Sequence, residues 1–125
     1  MRKFVLGFVA LAFVALSAVP ASAQMEMAEG EDVEFTAQVV DLSCKVVYDL
    51  GGDMHRECSQ MCADMGVPLG FLAEDGTLYL PVSQAMPGSG ENERLKPHAE
   101  HKVTVKGKAI ERGGMHTIII ESVEM

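Results

Sequence analysis

Apolar and polar residues alternate with period two from Val33 to Val39. Val33, Phe35, Ala37 and Val39 interleave with Glu34, Thr36 and Gln38, the pattern of a half-buried strand. Two shorter apolar runs, Leu69–Ala73 and Thr77–Val82, flank Glu74-Asp75-Gly76 and predict strands joined by a tight turn. The chain ends in a predicted hairpin. Lys102–Glu111 alternates through Val103, Val105, Gly107 and Ala109, Arg112-Gly113-Gly114 turns, and Met115–Val123 returns through Ile118, Ile119 and Ile120. One segment follows a different rule. Met54–Met65 lacks Gly, Pro and β-branched residues, Asp53 suits an N-cap, and Gly66 and Pro68 suit a helix end. At 100° per residue, Met54, His55, Cys58, Met61, Cys62 and Met65 share an arc of about 120°, so a buried face of sulfur and imidazole is expected.

Five strands, with a helix early in the order, predict a mainly β domain. The expected architecture is a small five-stranded OB-like barrel with an amphipathic helix at about 54–65. Val33, Phe35, Val39, Leu69, Phe71, Leu80, Val103, Val105, Ile118 and Ile120 are the expected core. Asp41–Gly52 carries Cys44 and a second apolar patch, Val46-Val47-Tyr48. Ser83–Leu95, with Pro87, Gly88, Ser89 and Gly90, reads as an exposed loop, and Pro97 limits any helical turn over Glu93–Glu100.

The N-terminus reads as an export signal. Arg2 and Lys3 precede an apolar run from Phe4 to Val19, Pro20 ends it, and Ala21-Ser22-Ala23 offers a cleavage site. The run is shorter than the roughly 20 residues of a spanning helix, so no membrane anchor is expected after cleavage. The organisation is then a signal peptide over 1–23, a flexible acidic leader over 24–32 containing Met25 and Met27, and one domain over 33–125. The expected location is the periplasm or the medium.

Charge narrows the partners. Losing Arg2 and Lys3 leaves eight basic against eighteen acidic residues, a formal net charge of −10. Such a surface repels phosphate backbones, so no nucleic-acid partner is expected. A cation is the natural small partner, and an envelope protein the macromolecular one that this location offers.

Cys44, His55, Cys58 and Cys62 form the pattern C-x10-H-x2-C-x3-C. Positions 55, 58 and 62 fall on one helical face, and Cys44 from the preceding segment adds a fourth donor. Three thiolates and an imidazole suit tetrahedral zinc, and thiolates also suit Cu(I). Export supplies the competing reading, because extracytoplasmic cysteines commonly pair. The i, i+4 spacing of Cys58 and Cys62 is too wide for a disulfide on an intact helix. Cys44–Cys58 or Cys44–Cys62 would then be the bridge, with one thiol left over. Met54, Met61 and Met65 offer either soft ligands or packing, and Asp41 either a partner for the site or a strand-end turn. His98 and His101 read as exposed polar residues, and His116, in the final strand, can face either side. No G-x-S-x-G, H-E-x-x-H, paired acidic motif or phosphate loop appears. His55 beside Cys58 could activate a thiolate, but nothing supplies an oxyanion hole, so a binding role is expected rather than an enzyme.

The signal, the opening Val33–Asp41 and the closing Val103–Ile110 and Ile118–Val123 resemble small exported OB-fold-like proteins of bacteria. The resemblance covers the two ends of the domain and implies a binding module. It carries no site residues across, since the Cys/His insertion lies outside the general OB pattern. The alternative to a metal carrier is therefore a disulfide-stabilised module that binds a peptide, glycan or partner protein. Cleavage after Ala23 is expected to leave a soluble protein beginning at Gln24. Intact-mass measurement on the envelope fraction checks this, and a membrane-retained species that still carries residues 1–23 contradicts it.

Overall fold

The computed structural model describes residues 27–125. The expected signal peptide, together with Gln24, Met25 and Glu26 of the expected leader, lies outside them. The five expected strands form at β1 (Glu31–Asp41), β2 (Leu69–Ala73), β3 (Leu78–Pro81), β4 (Lys102–Arg112) and β5 (Met115–Glu124). They close into a barrel in the order β1-β2-β3-β5-β4, with β1 pairing to both β2 and β4. Only the β3–β5 pair is parallel. The protein is mainly β and OB-like. β1 begins two residues before the expected boundary, so Glu31 and Asp32 belong to the domain rather than to the leader.

Two helical insertions cover the same end of the barrel. Between β1 and β2 run α1 (Leu42–Tyr48), a 3-10 turn (Asp53–His55) and α2 (Arg56–Asp64). Between β3 and β4 run α3 (Asn92–Leu95) and a 3-10 turn (Lys96–His98). The two share an end because Asp41 pairs with Leu69 and Gln38 with Lys102. Where β1 ends, β2 and β4 begin.

The period-two rule sets the interior of β1. Ala37 and Val39 are fully buried, while Val33 and Phe35 are half-buried and pack against the core from its edge. Leu80 is also only half-buried, because β3 is four residues long and holds β5 through a short parallel register. Leu95 fills the space expected of these residues. It is buried completely and plugs the capped end beside Ala63 of α2.

The helical region corrects the expected pattern most. Helix 54–65 is a 3-10 turn followed by α2, and Asp53 is the first residue of that turn with no side-chain capping bond. The sulfur face is not the buried face. Met54, Met61 and Met65 are 103%, 60% and 83% exposed, and the residues that α2 buries are Ser59 and Ala63. Polar contacts set the rotation of α2. The Asn92 side chain donates to the carbonyls of Ala63 and Val67 at 3.0 and 2.8 Å and accepts from the Leu69 amide at 3.0 Å. The apolar patch Val46-Val47-Tyr48 lies exposed on α1.

The β4–β5 turn is two residues long. Gly113 and Gly114 hold φ of 61° and 79°, as the tight hairpin requires. Further along, a register irregularity at Lys106/Gly107 brings the Ile119 backbone against Gly107, where an added Cβ would run into the Ile119 carbonyl oxygen. Gly107→Ala is expected to cost about 1–3 kcal/mol and lower the thermal midpoint by several degrees. Gly90→Ala, which meets nothing within 4 Å, is the control. Calorimetry reads both, and equal midpoints would show that the strands part without cost.

Candidate metal centre

The site begins with β1. Asp41 is the next inward-facing position after Ala37 and Val39, and it reaches the barrel end with 1% exposure. The chain turns there into α1, with Asp41 as N-cap: its Oδ1 accepts from the Cys44 amide at 2.9 Å. The cap holds the first turn of α1, and with it Cys44, against the Asp41 carboxylate. The other oxygen, Oδ2, is buried without a hydrogen-bond partner.

His55 ends the 3-10 turn ahead of α2 and is oriented by Glu100. Its Nδ1 lies 3.2 Å from Glu100 Oε1 and 2.9 Å from Ser59 Oγ, while the Ser59 hydroxyl donates to Glu100 Oε1 at 2.6 Å. The other carboxylate oxygen accepts from the Gly52 amide at 2.8 Å and the Gln38 side chain at 3.1 Å. A carboxylate only accepts, so in the neutral ring Nδ1 carries the hydrogen and Nε2 keeps its lone pair. Nε2 is buried and has no partner.

Glu100 is itself held in place. It occupies a left-handed conformation, φ 62°, and is 4% exposed. Arg56, the first residue of α2, donates to the carbonyls of Ala99 and Pro97 at 2.8 and 2.9 Å and lies 2.6 Å from His101 Nε2. Val39 of β1 accepts the Glu100 amide at 2.7 Å. The barrel, the β3–β4 connection and α2 thus converge on one buried carboxylate.

These supports bring the thiols together in two overlapping donor groups. A ring nitrogen of His55 and the sulfurs of Cys44 and Cys58 lie within 4.8 Å of one another, as do the ligand atoms of Asp41, Cys44 and Cys62. Donors around a tetrahedral ion are about 3.5–3.8 Å apart when the metal–sulfur bond is about 2.3 Å. Small side-chain movements therefore suffice to hold an ion. All four expected residues participate. Cys62 joins beside Asp41 and Cys44 rather than through a helical face shared with His55. Asp41 takes the strand-end role, as the cap of α1, and also lies beside the thiols.

The three cysteines are free, Cys58 exposed and Cys44 and Cys62 partly covered. Burial raises the Cys44 thiol above its ordinary value, and the negative charges of Asp41 and Cys58 add to the effect. A hydrogen bond to Asp41, followed by burial, pushes Cys62 up to about 12. The cause is shared: negative groups crowd together, and a bound cation would reverse the balance.

The other candidates stay outside. His101 contacts Arg56. His116 lies at the opposite end of the barrel, 3.6 Å from Glu111, with Tyr79 against its ring. His98 takes no place in either donor group, and its buried Nδ1 has no partner. Met54, Met61 and Met65 do not fill the core. Ser59, Glu100 and Arg56 are the supporting residues that sequence reasoning missed. Glu100 stands 45 residues from His55, and no spacing rule connects them. Protein-family models, characterised proteins and solved structures yield no match to the chain.

A thiol that ionises less readily in the fold than in the unfolded chain favours the fold while protonated. For Cys62 this contribution is complete below pH 9.0 and is lost as the pH rises towards 12. Reduced, metal-free protein should therefore lose denaturant resistance over that interval more steeply than Cys62→Ser. Parallel pH profiles for the two proteins would contradict the assignment.

Proposed function

We propose that this is an exported metal-binding protein that holds zinc or copper on Cys44, His55, Cys58 and Cys62, in a structural, sensing or carrier role. The observation that carries the reading is His55. Its Nε2 is buried and partnerless, its Nδ1 is held by a buried carboxylate, and the ring is grouped with two thiols. A carboxylate behind the imidazole fixes the ring's tautomer and orientation, the arrangement that supports metal-ligating histidines. The Cys44 and Cys62 thiols fit binding better than nucleophilic catalysis. Cys44 and Cys62 have raised pKa values, whereas a catalytic thiol needs a lowered one.

One observation favours a second reading. The Cys44 sulfur lies within 4.8 Å of the sulfurs of both Cys58 and Cys62, so either pair is within reach of oxidation in an oxidising compartment. The protein would then be a disulfide-stabilised OB-like module for a peptide, glycan or partner protein.

Elemental analysis and thiol counting on anaerobically purified protein separate the two. Metal with three free thiols after denaturation supports the proposal; one free thiol without metal supports the module. Cys58→Ser and Cys62→Ser should each weaken binding severely. Glu100→Gln should weaken it about ten- to a hundredfold by loosening the His55 ring. His116→Ala should bind as the unaltered protein does. Full retention by both cysteine variants would remove the site.

A further inference from the structure

The two donor groups overlap in one residue only. Cys44 belongs both to the group with His55 and Cys58 and to the group with Asp41 and Cys62. Each group also contains a residue with one buried polar atom that has no partner: His55, through Nε2, in the first and Asp41, through Oδ2, in the second. A single four-coordinate ion does not satisfy both. With the three thiolates it would accept one of these atoms and leave the other buried and unpaired, a costly arrangement for a carboxylate in particular.

We propose that the cluster holds two divalent ions of the zinc type, bridged by the Cys44 thiolate. One ion is bound by Cys44, His55 and Cys58, and the other by Asp41, Cys44 and Cys62. The proposal rests on the metal-binding reading above and extends it to a second ion and a fifth donor.

Charge supports the count. The Asp41 carboxylate and three thiolates carry four formal negative charges, and two divalent ions cancel them. One divalent ion would leave two uncancelled in a partly buried site, where unpaired charge is unfavourable. Ligand chemistry agrees. Carboxylate, thiolate and imidazole together suit borderline zinc, whereas the carboxylate is a poor ligand for Cu(I). Each group supplies three protein donors and leaves one position of a tetrahedral shell for water. Each thiol that binds releases its proton to solvent, so no oxidant or reductant takes part.

Asp41→Asn isolates the second ion. The amide oxygen of Asn keeps the α1 cap on the Cys44 amide, but the second arm loses its charge and presents a donor nitrogen. The measurement is a Zn²⁺ titration of the reduced protein under anaerobic conditions, with circular dichroism to verify the β fold. Two equivalents in the unaltered chain and one in Asp41→Asn are expected. One equivalent in the unaltered chain overturns the bridged pair and leaves the metal reading standing; none overturns both. Two equivalents in both proteins would put the second ion away from Asp41 and overturn the proposal. Cobalt(II) gives a readout that needs no variant. Its paramagnetic resonance signal should grow through the first equivalent and fall through the second, as spins couple across the shared thiolate. A signal that grows steadily through two equivalents would overturn the bridge.

Discussion

Asp41 stands where the inward alternation of β1 meets the end of the barrel. The register that buries Ala37 and Val39 requires the next inward residue to be buried too, and that residue is a carboxylate. It is tolerated because one oxygen is consumed in capping α1. The same cap fixes where Cys44 stands. One backbone register thus determines the direction of α1, the position of its thiol and the presence of a buried negative charge beside it. A one-residue slip of β1 would move Asp41 off the interior face and scatter the cluster.

A second buried acid, Glu100, does for His55 what Asp41 does for Cys44. Its neighbours divide the work. Gly52, Ser59 and Gln38 satisfy its oxygens, and Arg56 pins the carbonyls on either side of His98. This frame explains the rotation of α2. Ser59 faces inward because it is bonded to Glu100, and Ala63 because Asn92 draws its carbonyl toward β2. With those two positions inside, Met54, Met61 and Met65 have nowhere to go but solvent. Polar bonds at the capped end, rather than the apolar moment of the helix, decide which face is buried.

That is also where legibility in the sequence stops. Strands were readable because period-two alternation reports burial directly, and Val39, Val103, Val105 and Ile118 lie inside as the pattern implies. The barrel followed from their number and from the Gly-rich last hairpin. The cluster was readable as residue types, since few patterns bring three cysteines and a histidine within twenty residues. The helix face was not, because counting sulfur as apolar assigns the wrong side when a serine and an alanine are the residues packed. Nor was Glu100. Its partners are 41 to 62 residues away, and only closure of the barrel brings them together.

The position of the cluster separates two kinds of stability. Among the described residues, the main apolar core lies among the strands, with Leu95 and Ala63 contributed by the helices. The thiols lie outside that core, on segments tied to the barrel by hydrogen bonds to Asp41, Glu100 and Asn92. Burial of apolar area among the strands does not depend on the thiols' protonation or on any ion. Order in the β1–β2 insertion does, because crowded negative groups there repel one another unless protonated or neutralised. Local opening therefore has a low-cost route through α1 and α2 that leaves the sheet closed. Under the proposed metal-binding role, an insertion of this kind on a closed barrel would suit the uptake and release of a cation. The exposed side of Cys58 is the end of the cluster from which exchange would begin.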